Sequence, residues 1–168
     1  FCGCTSLIDA SRIKVPTNIE DGYAFSYMFA SCKNLKHVPV LPATKMRHHC
    51  YQSMFQFCSS LTEAPVLPAT TLVPHGYESM FLDCPHLNYI KCLATDISAE
   101  NCTNGWTTTV APSGTFVKDK NMADWLIDSA NGIPVGWTVP DEIDYSTIHL
   151  TLTAYEADTE FTFMPHDR

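Results

Sequence analysis

Met-Phe occurs at Met28-Phe29, Met54-Phe55 and Met80-Phe81, each pair 26 residues after the one before. A cysteine follows at the same interval in Cys32, Cys58 and Cys84, and a leucine in Leu35, Leu61 and Leu87. Leu-Pro-Ala-Thr at 41–44 returns at 67–70, with Val15-Pro16 standing in the same phase. Aromatics hold Phe25, Tyr51 and Tyr77, and small residues hold Ala24, Cys50 and Gly76 just before them. A unit this short cannot bury its apolar stripe within itself. Copies of it must stack, each covering the next, and this limits the fold more than composition does.

The register continues in weaker form at both ends. Phe1, Cys4 and Leu7 match Phe29, Cys32 and Leu35 at an interval of 28, and Cys102 and Trp106 fall in phase with Cys50 and Met80. The array is therefore expected to cover residues 1–106 in about four copies. Its first copy is cut inside the Met-Phe motif, so the parent protein is expected to continue upstream.

Within a copy, Cys50, Tyr51, Met54, Phe55 and Cys58 fall at i, i+1, i+4, i+5 and i+8, which predicts one face of a helix. Thr44 and Thr70 stand where N-caps belong, and Pro74 suits a first helical turn. Ser59-Ser60 breaks the pattern, Leu61 to Val66 alternates as a short strand would, and Pro65 and Pro68 force an extended return. The expected fold is an α/β solenoid: a right-handed, leucine-rich-repeat-like array of helix–strand units with a narrow parallel sheet on one face.

A β-rich cap is expected over residues 107–140, with strands at 107–110 and 115–117 around a turn at 111–114. A helical turn is expected at 124–130 and an extended run at 132–139. Residues 141–168 read as an acidic linker and a β-hairpin built on Ile148, Leu150, Leu152, Phe161 and Phe163, the possible opening of a further β module.

Charge removes one class of partner. Residues 1–140 hold 9 Lys/Arg against 11 Asp/Glu, and residues 141–168 hold 1 against 7, within a net charge of −8. A near-neutral body with an acidic tail lacks the basic surface nucleic acid requires. No apolar run approaches the ~20 residues of a membrane helix, so no span is expected in this fragment.

The eight cysteines lack paired C-x-x-C spacing. His48, His49, Cys50 and Cys58 are the obvious metal candidates, but adjacent histidines on a helix project about 100° apart, so at most one could join Cys50. Cys32, Cys58 and Cys84 recur with every copy, which points to a stacked column of small buried side chains rather than a nucleophile. Cys92 has no counterpart cysteine in other copies, and a Cys92–Cys102 disulfide is expected to staple the last repeat to the cap, contributing about 2–3 kcal/mol. Asn101-Cys102-Thr103 fits a glycosylation sequon and is taken as incidental. No catalytic motif appears, so neither metal, cofactor nor enzymatic activity is expected.

The string M-F-x-x-C-x-x-L-x-x-A-P-x-L-P-A-T, present as Met54 to Thr70, resembles the BspA-type leucine-rich repeats of Bacteroidetes surface proteins. Residues 88–103, 114–122 and 132–139 resemble the segment that closes such arrays, so the resemblance covers roughly residues 1–140. Gly76 in place of the cysteine seen at Cys50, and His48-His49 in a usually variable stretch, are its departures. The resemblance implies an extracellular or outer-membrane-surface protein that adheres to, or binds, a protein or glycan. Exposed strand positions Lys36, His37, Thr62, Glu63, Asn88 and Tyr89 are the expected binding residues, with His37 and Tyr89 foremost. The alternative is a structural spacer that displays a neighbouring domain.

Overall fold

The computed structural model describes residues 1–122 and 125–140; the predicted acidic linker and hairpin at 141–168 lie outside the described residues. Copies do stack on one another, but not as helix–strand units. Among the described residues there is no helix, and the two regular strands are β1, Tyr89–Cys92, and β2, Thr115–Lys118. The α/β helix–strand solenoid expected from the sequence is therefore incorrect.

What replaces the helix is a run of overlapping β-turns. In the copy that carries Met54-Phe55, Cys50, Gln52, Met54 and Gln56 each donate an N–H to the carbonyl three residues back. The alternate N–H groups leave the copy altogether: those of His49, Tyr51, Ser53, Phe55 and Phe57 donate to the carbonyls of Pro74, Gly76, Glu78, Met80 and Leu82, at 2.8–3.1 Å. The same ladder joins the neighbouring copies on either side, through Phe25 and Cys50 and through Tyr77 and Cys102. Every fourth residue adopts positive φ, at His49, Ser53 and Phe57 and again at His75, Ser79 and Asp83. A type II turn demands positive φ at its third position, so turns closing across these residues alternate with turns that lack it.

The misread spacing has a physical cause. The buried residues i, i+1, i+4, i+5 and i+8 repeat every four residues, whereas a helix repeats every 3.6. Over so short a stretch the two periods separate by less than the width of a helical face. Cys, Tyr, Ser and Phe are also indifferent helix formers, so propensity gave the helix little support. The left-handed residues cost roughly 1–2 kcal/mol each where they carry a side chain. Hydrogen bonds between copies and stacking of their rings offset that cost, and both exist only when copies are adjacent.

The core consists of columns running along the stack. Phe1, Phe29, Phe55 and Phe81 stack at centroid separations of 5.6, 5.6 and 5.9 Å, with planes within 7° of parallel. Phe25, Tyr51 and Tyr77 form a second column at 5.8 and 6.1 Å. Both columns end on Trp106, which is fully buried and stacks in turn on Trp125 at 5.5 Å. The cysteine column does more than fill space. The Sγ atoms of Cys32, Cys58 and Cys84 donate to the carbonyls of Phe1, Phe29 and Phe55, each at 3.1 Å, so every thiol ties its copy to the preceding Phe.

On the Leu-Pro flank, contact between copies thins to isolated parallel bridges, such as Glu63 with Tyr89 and Leu67 with Cys92. Only beside the cap do they extend into a sheet, where β1 pairs in parallel with β2 from Tyr89↔Thr115 to Cys92↔Lys118. The hairpin expected around 111–114 is thus also corrected: 107–110 continues the turn run, with Asp83 N–H donating to Thr108 carbonyl and Thr109 at φ 59°. Gly114 passes so close to the Asn88 carbonyl that a Cβ there would collide with it. The helical turn expected at 124–130 is instead a tight loop over 125–130, in which Asp128 Oδ1 accepts the Ala130 N–H and Ile127 bridges Ile133.

Candidate functional site

Two exposed strips run along the stack, one on each flank. The Leu-Pro flank carries the residues expected from the sequence to bind: Lys36, His37, Thr62, Glu63 and Asn88 are exposed and Tyr89 is half-buried. Backbone pairing sets their positions, with Asn88 N–H donating to the Thr62 carbonyl and Ala64 N–H to that of Tyr89. Glu63 and Tyr89 are brought into register, whereas His37 pairs with Asp9 of the preceding copy. A side-chain hydrogen bond from Ser11, supported by its backbone N–H, holds the Asp9 carboxyl below its ordinary range.

The turn flank carries a strip that the sequence reading did not single out. The rings of Tyr23, His49 and His75, one per copy at positive φ, stack at 4.3 and 4.2 Å with planes 7° and 8° apart. Beside them runs a column of hydrogen-bonding side chains: Ser26, Gln52, Glu78 and Asn104. Gln52 Nε2 donates to Glu78 Oε2 at 2.8 Å, and Asn104 Nδ2 donates to Glu78 Oε1 at 3.0 Å. His49 Nδ1 lies 3.1 Å from Gln52 Oε1, and His75 Nδ1 lies 2.8 Å from Glu78 Oε2. Because Gln52 offers its NH₂ to the carboxylate, its oxygen faces His49, and both Nδ1 atoms must be the donors. Burial pulls the Glu78 carboxyl upward, but hydrogen bonds from Asn104, His75 and Gln52 outweigh it and leave the group below its ordinary range.

This strip lies off the apolar face of Cys50, Tyr51, Met54, Phe55 and Cys58 on which the helix expectation rested. The signal was present, however. Positions 23, 49 and 75 all carry rings, and 26, 52, 78 and 104 all carry hydrogen-bonding groups, in the same register as the core.

Cys50 and Cys58 point inward, where burial pushes each thiol up to about 12, so neither joins His48 or His49. The expected Cys92–Cys102 disulfide is absent and both are free thiols. Cys92 is fully buried and raised to about 12 by desolvation, while Cys102 Sγ is directed at the Ile97 carbonyl, 3.2 Å away. At the joint with the cap, Asn101, Thr103, Asn104 and Asn131 line a shallow, open polar groove. No helix among the described residues is long and apolar enough to cross a membrane.

Comparison of the chain with protein-family models, curated proteins and solved structures gives no match.

Proposed function

We propose that this chain is a non-enzymatic binding module of the cell surface or secreted space, of the BspA type its repeat resembles, recognising a protein or glycan through its exposed strips. One observation carries the reading: side chains inside the stack are held from copy to copy, while those on the strips change. Phe29, Phe55 and Phe81 repeat, as do Cys32, Cys58 and Cys84, and all six are fully buried or nearly so. Across the same copies the exposed strips read Lys36-His37, Thr62-Glu63 and Asn88-Tyr89 on one flank, and Ser26, Gln52, Glu78 and Asn104 on the other. Stacking constrains the first set and leaves the second free for recognition.

The test immobilises the full chain and screens glycans and extracellular-matrix proteins, then repeats any hit with His37→Ala/Tyr89→Ala. An interface centred on these residues loses at least about tenfold in affinity, as hot-spot truncation does. Affinity unchanged by that pair and also by Gln52→Ala/Asn104→Ala would remove both strips as the recognition surface.

A further inference from the structure

The fold takes apart the histidine–cysteine group that the sequence suggests and assembles a different one. His49 and His75 come from successive copies, and Glu78 follows His75 by three residues on the same strip. One ligand atom from each lies within 4.8 Å of the other two, and all three residues are half-buried. The geometry points to a divalent transition-metal site formed by His49, His75 and Glu78, clipping two successive copies together.

Donor chemistry sets the metal class. Two imidazoles and one carboxylate suit Zn²⁺, Cu²⁺ or Ni²⁺, whereas Ca²⁺ and Mg²⁺ take oxygen ligands. With both histidines neutral, the three side chains together carry one negative charge toward a dication. His75 Nδ1 and Glu78 Oε2 are already 2.8 Å apart, close to the separation of neighbouring ligands on one ion; on binding, the metal takes the place of the Nδ1 proton and the ring carries its proton on Nε2 instead. His49 must move more. Its ring lies parallel to that of His75 at 4.2 Å, so both rings must tilt to aim lone pairs at a common point about 2.0–2.1 Å from each. Their half-exposed setting at the outer edge of the stack permits that rotation without disturbing the core columns. Gln52 Oε1, 3.1 Å from His49 Nδ1, and water are available for the remaining positions. Three protein ligands leave at least one position open, as a catalytic or ligand-accepting zinc site does.

His48 stands edge-on to His49, its ring centroid 5.6 Å away, and Tyr23 stacks on the other face of His49.

The test titrates Zn²⁺ alone into the full chain by calorimetry. Cys2 and Cys4 are exposed thiols that would compete for zinc, so both are first replaced by Ser. Expected is one saturable site per chain, weakened at least about tenfold by His49→Ala and by His75→Ala, and unchanged by His86→Ala on the opposite flank. The metal-free variants should keep the parent's circular dichroism, showing that the stack survives. Cu²⁺ bound to the unsubstituted ladder should show nitrogen coupling from two imidazoles in its electron paramagnetic resonance spectrum, a readout independent of whether any variant folds. No saturable uptake, equal loss on His86→Ala, or coupling from fewer than two nitrogens would overturn the site.

Discussion

Residues 49–58 and residues 125–139 face one problem, satisfying backbone groups where neighbours shut out water, and they solve it by opposite means. Along 49–58 each outgoing N–H finds a backbone carbonyl of the next copy, and no side chain is needed. At the cap the described residues offer no next copy, and particular side chains and turns stand in for one. Asn131 Oδ1 accepts the Gly105 N–H at 2.9 Å, and its carbonyl accepts Thr103 Oγ1 at 2.8 Å. Trp106 Nε1 donates to the Gly132 carbonyl at 2.9 Å, and Trp137 Nε1 to that of Ala111 at 2.8 Å. A propagating ladder leaves its exposed side chains free to vary. A terminus must specify each partner. Side-chain variation is tolerated on the first kind of surface, and stability-critical residues gather at the second.

The largest test of that contrast is Trp106→Ala. Trp106 is the joint between array and cap, packed on Tyr77, Phe81, Phe116 and Trp125, and its loss should cost about 4 kcal/mol in chemical denaturation. A cost under about 1 kcal/mol would mean that the cap does not seat on it.

Next in size is the paired comparison of Asn131→Ala with Asn104→Ala. Asn131 is exposed, as Asn104 is, but its side-chain oxygen holds the Gly105 N–H in place of a further copy, so losing it should cost about 1 kcal/mol. Asn104 is exposed and only extends a side-chain column, so its loss should shift stability by at most ~0.5 kcal/mol. Equal costs would erase the distinction between ladder and cap.

A smaller effect of opposite sign is expected inside the array. The hydroxyls of Tyr51 and Tyr77 are buried without a hydrogen-bond partner, and desolvation raises both well above the ordinary tyrosine range. Tyr77→Phe should therefore be neutral or stabilise by up to about 1 kcal/mol, read as the shift in denaturation midpoint. A clear loss would show that the hydroxyl has a partner, such as a bound water.

How much of this was legible in the sequence divides along the same line. The Met-Phe, Cys and Leu columns were readable because stacking forces identical residues into identical places, and Phe55, Cys58 and Leu61 are all fully buried. The backbone between them was not. A four-residue period and a 3.6-residue period place Cys50, Tyr51, Met54 and Phe55 on the same face, and only the positive φ at Ser53 and Phe57 separates the two conformations. That preference leaves little trace when the residues are Ser, His and Phe rather than Gly. The His49–His75–Glu78 cluster stayed hidden for the same reason: its members are 26 residues apart in the first case and meet only once turns from two copies are stacked. The cap was legible in kind from its tryptophans, but Asn131 had no register to mark it.

Because the turn ladder is what separates this fold from the helix its spacing suggests, substitution at one position tests it best. Ser79 sits mid-ladder at φ 51°, and its N–H donates to the Asn104 carbonyl at 2.8 Å. In a helix, Ala at this site would stabilise relative to Ser, and Gly would destabilise by several tenths of a kcal/mol. In the turn ladder the order reverses, because Gly relieves the left-handed backbone and Ala does not. Thermal melts of Ser79→Gly and Ser79→Ala should place Gly highest, about 1 kcal/mol above Ala. Ala melting above Gly would contradict the ladder.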